Sequence, residues 1–138
     1  MIAPKNFLTI LIATIIVSVI VILNPFSENN DDFSHFTFDA VYLEDQNSIK
    51  INFADTTGKS SFAILEILGM DETYHKEFEI SDSKFSKLIS LEKIPKYGWK
   101  TTPVTLEITY DESIIFMKTE IHDEGQNPST VIFSQKEL

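Results

Sequence analysis

From residue 34 onward, hydrophobic and polar side chains alternate along most of the chain. In residues 48–53, "SIKINF", the apolar residues Ile49, Ile51 and Phe53 alternate with polar ones, which is the pattern of a strand with one buried face. Residues 61–68, "SFAILEIL", are apolar on both faces, which predicts a central strand. The pattern predicts strands at seven places, namely residues 35–43, 48–53, 61–68, 75–80, 103–110, 113–121 and 130–134.

Residues 82–94 fit two different structures. Phe85, Leu88 and Ile89 would share one face of a short helical turn, and the same residues would also form an edge strand. Seven or eight short strands with little helix predict an all-β fold. We therefore expect residues 34–138 to form an antiparallel β-sandwich, immunoglobulin-like or fibronectin type III-like.

The hydrophobic run at residues 7–23 contains no charge, glycine or proline. As a helix it would be about 26 Å long, close to the ~30 Å thickness of a bilayer core. Because backbone groups in lipid must pair within their own segment, we expect a transmembrane helix that acts as a signal anchor in contact with membrane lipid. Lys5 precedes the run and acidic residues follow it, which predicts a cytoplasmic N-terminus at residues 1–6. Residues 24–33 are expected to be a linker to a domain outside the cytoplasm.

Two alternatives to an uncleaved anchor stay open. One is a cleaved signal peptide, for which the nearest cleavage site, Pro25-Phe26-Ser27, is a poor match. The other is the stem of a filament subunit. In outline, the chain resembles archaeal type IV pilins and archaellins, which have a short basic leader, a hydrophobic helix and a small β-sandwich. Their processing site is a basic residue followed by glycine or alanine, whereas here Lys5 is followed by Asn6.

The charge of the chain restricts its partners. The formal net charge is −10, and because Lys5 is the only charged residue before residue 24, the rest of the chain carries −11. This charge argues against binding to nucleic acid or to an anionic lipid surface. The basic residues are all lysine, so the bidentate guanidinium clamps that recognise phosphate are missing and no phosphate ligand is expected. The chain also has no cysteine, which excludes disulfides and thiolate chemistry.

The three histidines, His35, His75 and His122, are weak candidates for metal ligands. His35 is expected on the polar face of its strand, and His122 on the polar side of the strand at residues 113–121. No two of them have ligand spacing, so we expect exposed or rim positions and no bound metal. An extracytoplasmic metal-binding protein is the weaker alternative for function.

The segment at residues 93–103, "KIPKYGWKTTP", contains the only tryptophan. Tyr97 and Trp99 lie on either side of Gly98, so in an extended chain they would share a face. One interpretation is an exposed aromatic platform that contacts a sugar or a protein partner. The other, which we favour, is a hydrophobic plug over one end of the sandwich.

Motifs for catalysis are missing from the sequence. It contains no nucleophile elbow, no H-E-x-x-H motif and no glycine-rich phosphate loop, so we expect no enzyme activity and no cofactor. The expected function is binding or assembly, as an accessory subunit of an envelope complex or as a surface interaction module with a protein partner in the cell envelope. A pilin-like or archaellin-like filament subunit is the alternative.

Overall fold

The computed structural model describes residues 32–138, and these form two β-sheets with a shared core. The strands are β1 (Phe36–Leu43), β2 (Ser48–Asp55), β3 (Ser60–Ile67), β4 (Tyr74–Glu79), β5 (Lys84–Ser90), β6 (Pro103–Tyr110), β7 (Ser113–Glu120), β8 (His122–Asp123) and β9 (Ile132–Glu137). Two short 3-10 turns, Glu44–Gln46 and Trp99–Thr101, lie in the connections. The expectation of an all-β sandwich is confirmed.

The first sheet has the order β5-β2-β1-β8, and the second has the order β4-β3-β6-β7-β9. Neighbouring strands are antiparallel, except that β8 pairs with β1 in parallel. Alternate side chains of both sheets point inward and form the core. Its largest fully buried apolar side chains are Ile49, Ile51, Leu65, Ile67, Val104, Leu106, Ile108, Ile115 and Met117.

The chain passes from the first sheet to the second through a turn built around the carboxylate of Asp55. This residue is only 4% exposed, and its side chain accepts hydrogen bonds of 2.7–3.1 Å from Thr57, Lys59 and Ser60. Burial raises the pKa of Asp55, but the hydrogen bonds from Thr57 and Ser60 outweigh burial and hold the pKa below its usual value. The turn between β2 and β3 is therefore stabilised by a buried carboxylate that accepts several hydrogen bonds.

The long connection between β5 and β6 covers one end of the sandwich. The Trp99 ring packs against Tyr42 with 4.9 Å between ring centroids, and Thr102 is completely buried. Gly69, after β3, lies against this connection. A Cβ at Gly69 would clash with the carbonyl oxygen of Thr101, and the residue has a φ of +80°. The close approach and the left-handed backbone both require glycine.

Aromatic side chains from both sheets meet along one edge of the sandwich. Phe85 on β5 stacks on Phe53 of β2, with 5.3 Å between ring centroids. The same ring meets Phe78 of β4 edge-on at 4.8 Å. These contacts join the two edge strands β4 and β5, which belong to different sheets.

Six of the seven predicted strands agree with β1–β4, β6 and β7 to within two residues at each end. The seventh, predicted at residues 130–134, overlaps β9 but begins and ends too early. Residues 82–94 contain the edge strand β5, so the helical alternative is wrong. Strand β8 was not predicted, because two residues are too few to show an alternating pattern.

The predicted transmembrane helix at residues 7–23 lies outside the described residues. Among residues 32–138, no helix has the length and apolar character needed to cross a bilayer. Phe33, at the end of the segment expected to be a linker, stacks on Phe133 with 4.9 Å between ring centroids.

Candidate interaction surface

A cluster of apolar side chains lies on the outer face of the five-stranded sheet. Alternate residues of β3, β6 and β7 point into the core, so the residues between them point outward. We call the outward cluster the apolar face, and its members are Phe62, Ile64, Ile114, Phe116 and Ile132. Phe116 is 37% exposed and Ile132 is 66% exposed. The five-stranded sheet thus presents large hydrophobic side chains to solvent on the side away from its core.

An open groove of about 400 Å³ runs across the apolar face. Side chains of β3, β6, β7 and β9 line it, and those on the outer face are Ile64, Glu66, Thr105, Glu107, Phe116, Lys118, Ile132 and Ser134. Contiguous exposed apolar surface with a polar rim is typical of an interaction site. The groove is open and mostly apolar, so it is suited to a protein surface.

Pairing between strands arranges the outer-face residues in three rows that cross β4, β3, β6, β7 and β9 in that order. The first row is His75, Glu66, Thr105, Lys118 and Ile132. The second row is Glu77, Ile64, Glu107, Phe116 and Ser134. The third row is Glu79, Phe62, Thr109, Ile114 and Lys136. Within these rows the acidic residues lie on β4, β3 and β6, and the lysines lie on β7 and β9.

His75 lies between two carboxylates at the β4 side of the rows. Its Nδ1 is 2.7 Å from Glu66 Oε1, and its Nε2 is 3.1 Å from Glu77 Oε1. The hydrogen bond to Glu66 and then the one to Glu77 raise the pKa of His75, because the imidazolium form can donate to both carboxylates. This corner therefore combines two acids with one titrating cation.

The three histidines lie on separate parts of the domain. His35 precedes β1 and lies beside Tyr110, with 5.4 Å between ring centroids. The Nε2 atom of His35 is buried and has no hydrogen-bond partner among residues 32–138. His75 belongs to β4 and His122 to β8. Within residues 32–138, no three side chains of the metal-ligating types come together in a group that could hold a metal ion.

The expectation that His122 lies on the polar side of β7 is wrong. Strand β7 ends at Glu120, the side chain of Ile121 is buried, and the chain then moves to the first sheet as β8. The His122 side chain is only 9% exposed, and its Nε2 lies 2.8 Å from Asp39 Oδ1 on β1. The change of sheet at Ile121 turns the histidine away from the solvent face that alternation along β7 predicts.

Tyr97 and Trp99 do not share a face. Gly98 has a φ of +76°, and Trp99 begins a 3-10 turn, so the segment lacks the extended backbone that an aromatic platform needs. Tyr97 is 76% exposed, with the ammonium of Lys96 5.4 Å from its ring centroid. Trp99 instead packs on Tyr42 at the end of the core. The two aromatic residues thus occupy different environments.

The apolar face was not predicted from the sequence, although the sequence contains a signal for it. A strand in a two-layer sandwich needs only one apolar set of side chains, because only one of its faces is covered. In β3 the second set includes Phe62 and Ile64, and in β7 it includes Ile114 and Phe116. Residues 61–68 are apolar on both faces because β3 is a central strand and because its outward side chains, Phe62 and Ile64, belong to the apolar face.

No protein-family profile, curated protein or solved structure matches this chain.

Proposed function

We propose that this chain is a single-pass membrane protein whose extracytoplasmic β-sandwich binds a protein partner in the cell envelope. Residues 7–23 would hold it in the membrane, with residues 1–6 in the cytoplasm. The observation that carries the proposal is the apolar face, on which Phe116 and Ile132 are exposed beside an open groove. Partner binding would remove this surface from water, which is favourable by roughly 25 cal/mol per Å² of apolar area.

The rim of the apolar face fits a protein partner. Interfaces of modest size combine a hydrophobic centre with a polar rim that stays hydrated. Here Ile64 and Phe116 lie in the middle row on either side of Glu107, and charged residues such as Glu79 and Lys136 lie at the outer strands. The charged residues would orient a partner, and the apolar side chains on β3 and β7, on either side of β6, would supply most of the affinity.

The strand order supports an immunoglobulin-like or fibronectin type III-like sandwich. Strands β1, β2 and β5 lie in the first sheet, and β3, β6 and β7 lie in the second, which are the places of strands A, B, E and C, F, G in that fold. Strand β4 pairs with β3 rather than with β5, which favours the fibronectin type III-like form. Many cell-surface domains share this architecture, although the fold alone does not assign a function.

The location is tested by intact mass and N-terminal sequencing of the native protein from membrane and medium fractions. A full-length chain in the membrane supports the proposal. A chain that begins at Asn6 or Phe7 would favour the filament-subunit alternative, because a prepilin-type peptidase would have acted. A soluble chain that begins near Glu28 would show that residues 7–23 are a cleaved signal.

The role of the apolar face is tested by chemical cross-linking of the full chain in intact cells. We compare Ile132→Ser with Leu88→Ser, which removes a side chain that is 55% exposed on the outer face of the other sheet. The proposal expects Ile132→Ser to reduce the cross-linked products and Leu88→Ser to leave them unchanged. Equal yields from both variants would reject a role for the apolar face.

A further inference from the structure

We propose that the partner of the apolar face is a second copy of this chain, related by a two-fold axis that runs along β6. The inference rests on the proposed function, because it names the occupant of the same face. A two-fold interface brings the same surface of both copies together, so that surface must be complementary to itself. Most positions of the three rows meet this condition for an axis along the central strand. The exceptions are His75, which faces Ile132, and Glu107, which faces itself.

The axis determines which residues face each other. Strand β6 is the middle strand of five, so an axis along it places β3 of one copy opposite β7 of the other and β4 opposite β9. Each row then faces the same row of the second copy. The strands of both copies run in the same direction, so both chains enter their domains from the same end. Two copies held in one membrane need this arrangement.

Opposite charges face each other under this symmetry. Glu66 in the first row meets Lys118 of the second copy, and Glu79 in the third row meets Lys136. The two-fold axis repeats each contact, so the two combinations give four ion pairs. Such complementarity selects the partner and fixes the register more than it adds affinity.

Apolar side chains also face each other under this symmetry. Ile64 in the second row meets Phe116, and Phe62 in the third row meets Ile114. An axis running across the strands would instead exchange the first row with the third. It would place Glu66 on Phe62 and Lys118 on Ile114, which would leave buried charges against hydrocarbon at a high desolvation cost. The pattern of the face therefore favours the axis along β6.

The size of the face predicts a weak dimer. Five strands and three rows span roughly 500 Å² of sheet, given the usual spacing of strands and of alternate residues. A stable interface buries about 800 Å² on each partner, so the free domain would associate only weakly. Attachment to one membrane would compensate, because it raises the effective concentration of one copy near another.

Glu107 provides a test that is specific to this axis, because it lies on the axis in the second row. The Glu107 side chains of the two copies would face each other and repel. Glu107→Gln should therefore strengthen the dimer, whereas Glu66→Gln should weaken it, because Glu66 faces Lys118. The same chemical change at two neighbouring acids thus has opposite expected effects. If only the total negative charge of the face mattered, both substitutions would change the strength of the dimer in the same direction.

The test uses the natural absence of cysteine in the full chain, reconstituted in lipid vesicles. Thr105→Cys and Thr109→Cys place a thiol on the axis, and Thr37→Cys places one on the outer face of the other sheet. A short bis-maleimide should couple the first two variants into a species of twice the chain mass. Thr37→Cys reports collisions in the membrane that do not involve the apolar face, and it should stay near background. Equal coupling of all three variants would overturn the proposal.

Charge reversal completes the test. On the Thr105→Cys background, Lys118→Glu should reduce dimer coupling several-fold, and adding Glu66→Lys should restore it. Failure of the double variant to recover, or a Glu107→Gln chain that couples less than the parent, would overturn the two-fold arrangement. In intact cells, coupling of Thr105→Cys to a different protein would overturn the proposal that the partner is a second copy, and it would support the apolar face as a site of interaction. No Thr105→Cys product in vesicles or in cells would overturn the second copy as partner, because two copies on this axis always bring two thiols together. Equal cross-linking of Ile132→Ser and Leu88→Ser would separately reject the apolar face as an interaction site.

Discussion

The ammonium of Lys87 lies 4.2 Å from the centroid of the Phe78 ring. Lys87 belongs to β5 of the first sheet and Phe78 to β4 of the second. Phe78 and Phe85 also meet in an edge-to-face arrangement, so the Phe78 ring is in contact with an aromatic side chain and a cation from the opposite sheet. The pair links two edge strands that share no backbone hydrogen bonds, and it therefore helps to hold the sheets together along this edge.

We expect a double-mutant cycle of Lys87→Ala and Phe78→Leu to give a coupling of about 0.5–1 kcal/mol in the free energy of unfolding. The coupling arises because the cation rests on the face of the ring, and it should be measured by chemical denaturation. Lys84→Ala combined with Phe78→Leu is the control, because Lys84 is exposed on the outer face of β5. An equal coupling for Lys84 would show that the effect is a general charge effect.

Gly69→Ala should destabilise the domain by roughly 2–4 kcal/mol, because the new methyl group would meet the backbone at Thr101. Gly125→Ala is the matched control. Gly125 also has a positive φ, but a Cβ there would meet no atom of the described part of the chain within 4 Å, so its cost should be only about 1 kcal/mol. Thermal or denaturant unfolding of both variants measures the difference, and equal losses would contradict the close approach at Gly69.

Asp55→Asn should destabilise the domain by roughly 2–4 kcal/mol, because the buried carboxylate accepts several charge-assisted hydrogen bonds. The pKa of Asp55 is lowered on folding, so its contribution is complete above the ordinary value of 3.8. This contribution is lost as the pH falls from that value through the lower pKa of the folded state. Unfolding curves measured as a function of pH should show this loss in the parent and lack it in the variant. Asp45→Asn, at an exposed turn, should keep the acid-dependent loss.

The pKa of His75 should lie above 6.5, and NMR titration of its ring protons measures it directly. The favourable interaction with Glu66 and Glu77 is fully present below the ordinary histidine pKa and is lost as the pH rises through the raised value. Glu66→Gln should lower the pKa of His75 more than Glu77→Gln, because the hydrogen bond to Glu66 is the shorter one. Equal pKa values in both variants and the parent would contradict the paired geometry.

The sequence predicted most strands because a sandwich strand buries every second residue, as β6 does with Val104, Leu106 and Ile108. Where burial is partial, the pattern loses its meaning. In β5 only Ile89 is buried, so the residues around it fitted a helical turn as well as an edge strand. Strand β8 depends on a partner far away in the sequence, which no local pattern reports.

The candidate site was harder to predict than the fold. When both faces of a strand are apolar, the sequence pattern does not show whether the second face is covered. Ile64 and Phe116 therefore looked like ordinary residues of central strands. The sequence instead pointed to Tyr97 and Trp99, where the positive φ of Gly98 breaks the extended geometry that a shared face requires. The rows of the outer face appear only when the register between β3, β6, β7 and β9 is known.

The parallel pairing of β1 with β8 affects the order in which the domain can fold. Asp39 and His122 are in contact although 83 positions separate them in the chain. During synthesis the N-terminal part of a chain is available first, so β1 and β2 can form their hairpin before β8 exists. The edge of β1 opposite β2 is then unpaired. An unpaired strand edge of this kind can recruit another chain. In a nascent chain the edge of β1 at Val41 and Tyr42 would thus stay open to mispairing until residues 122–123 emerge, so even a two-residue strand protects the part of β1 with which it pairs.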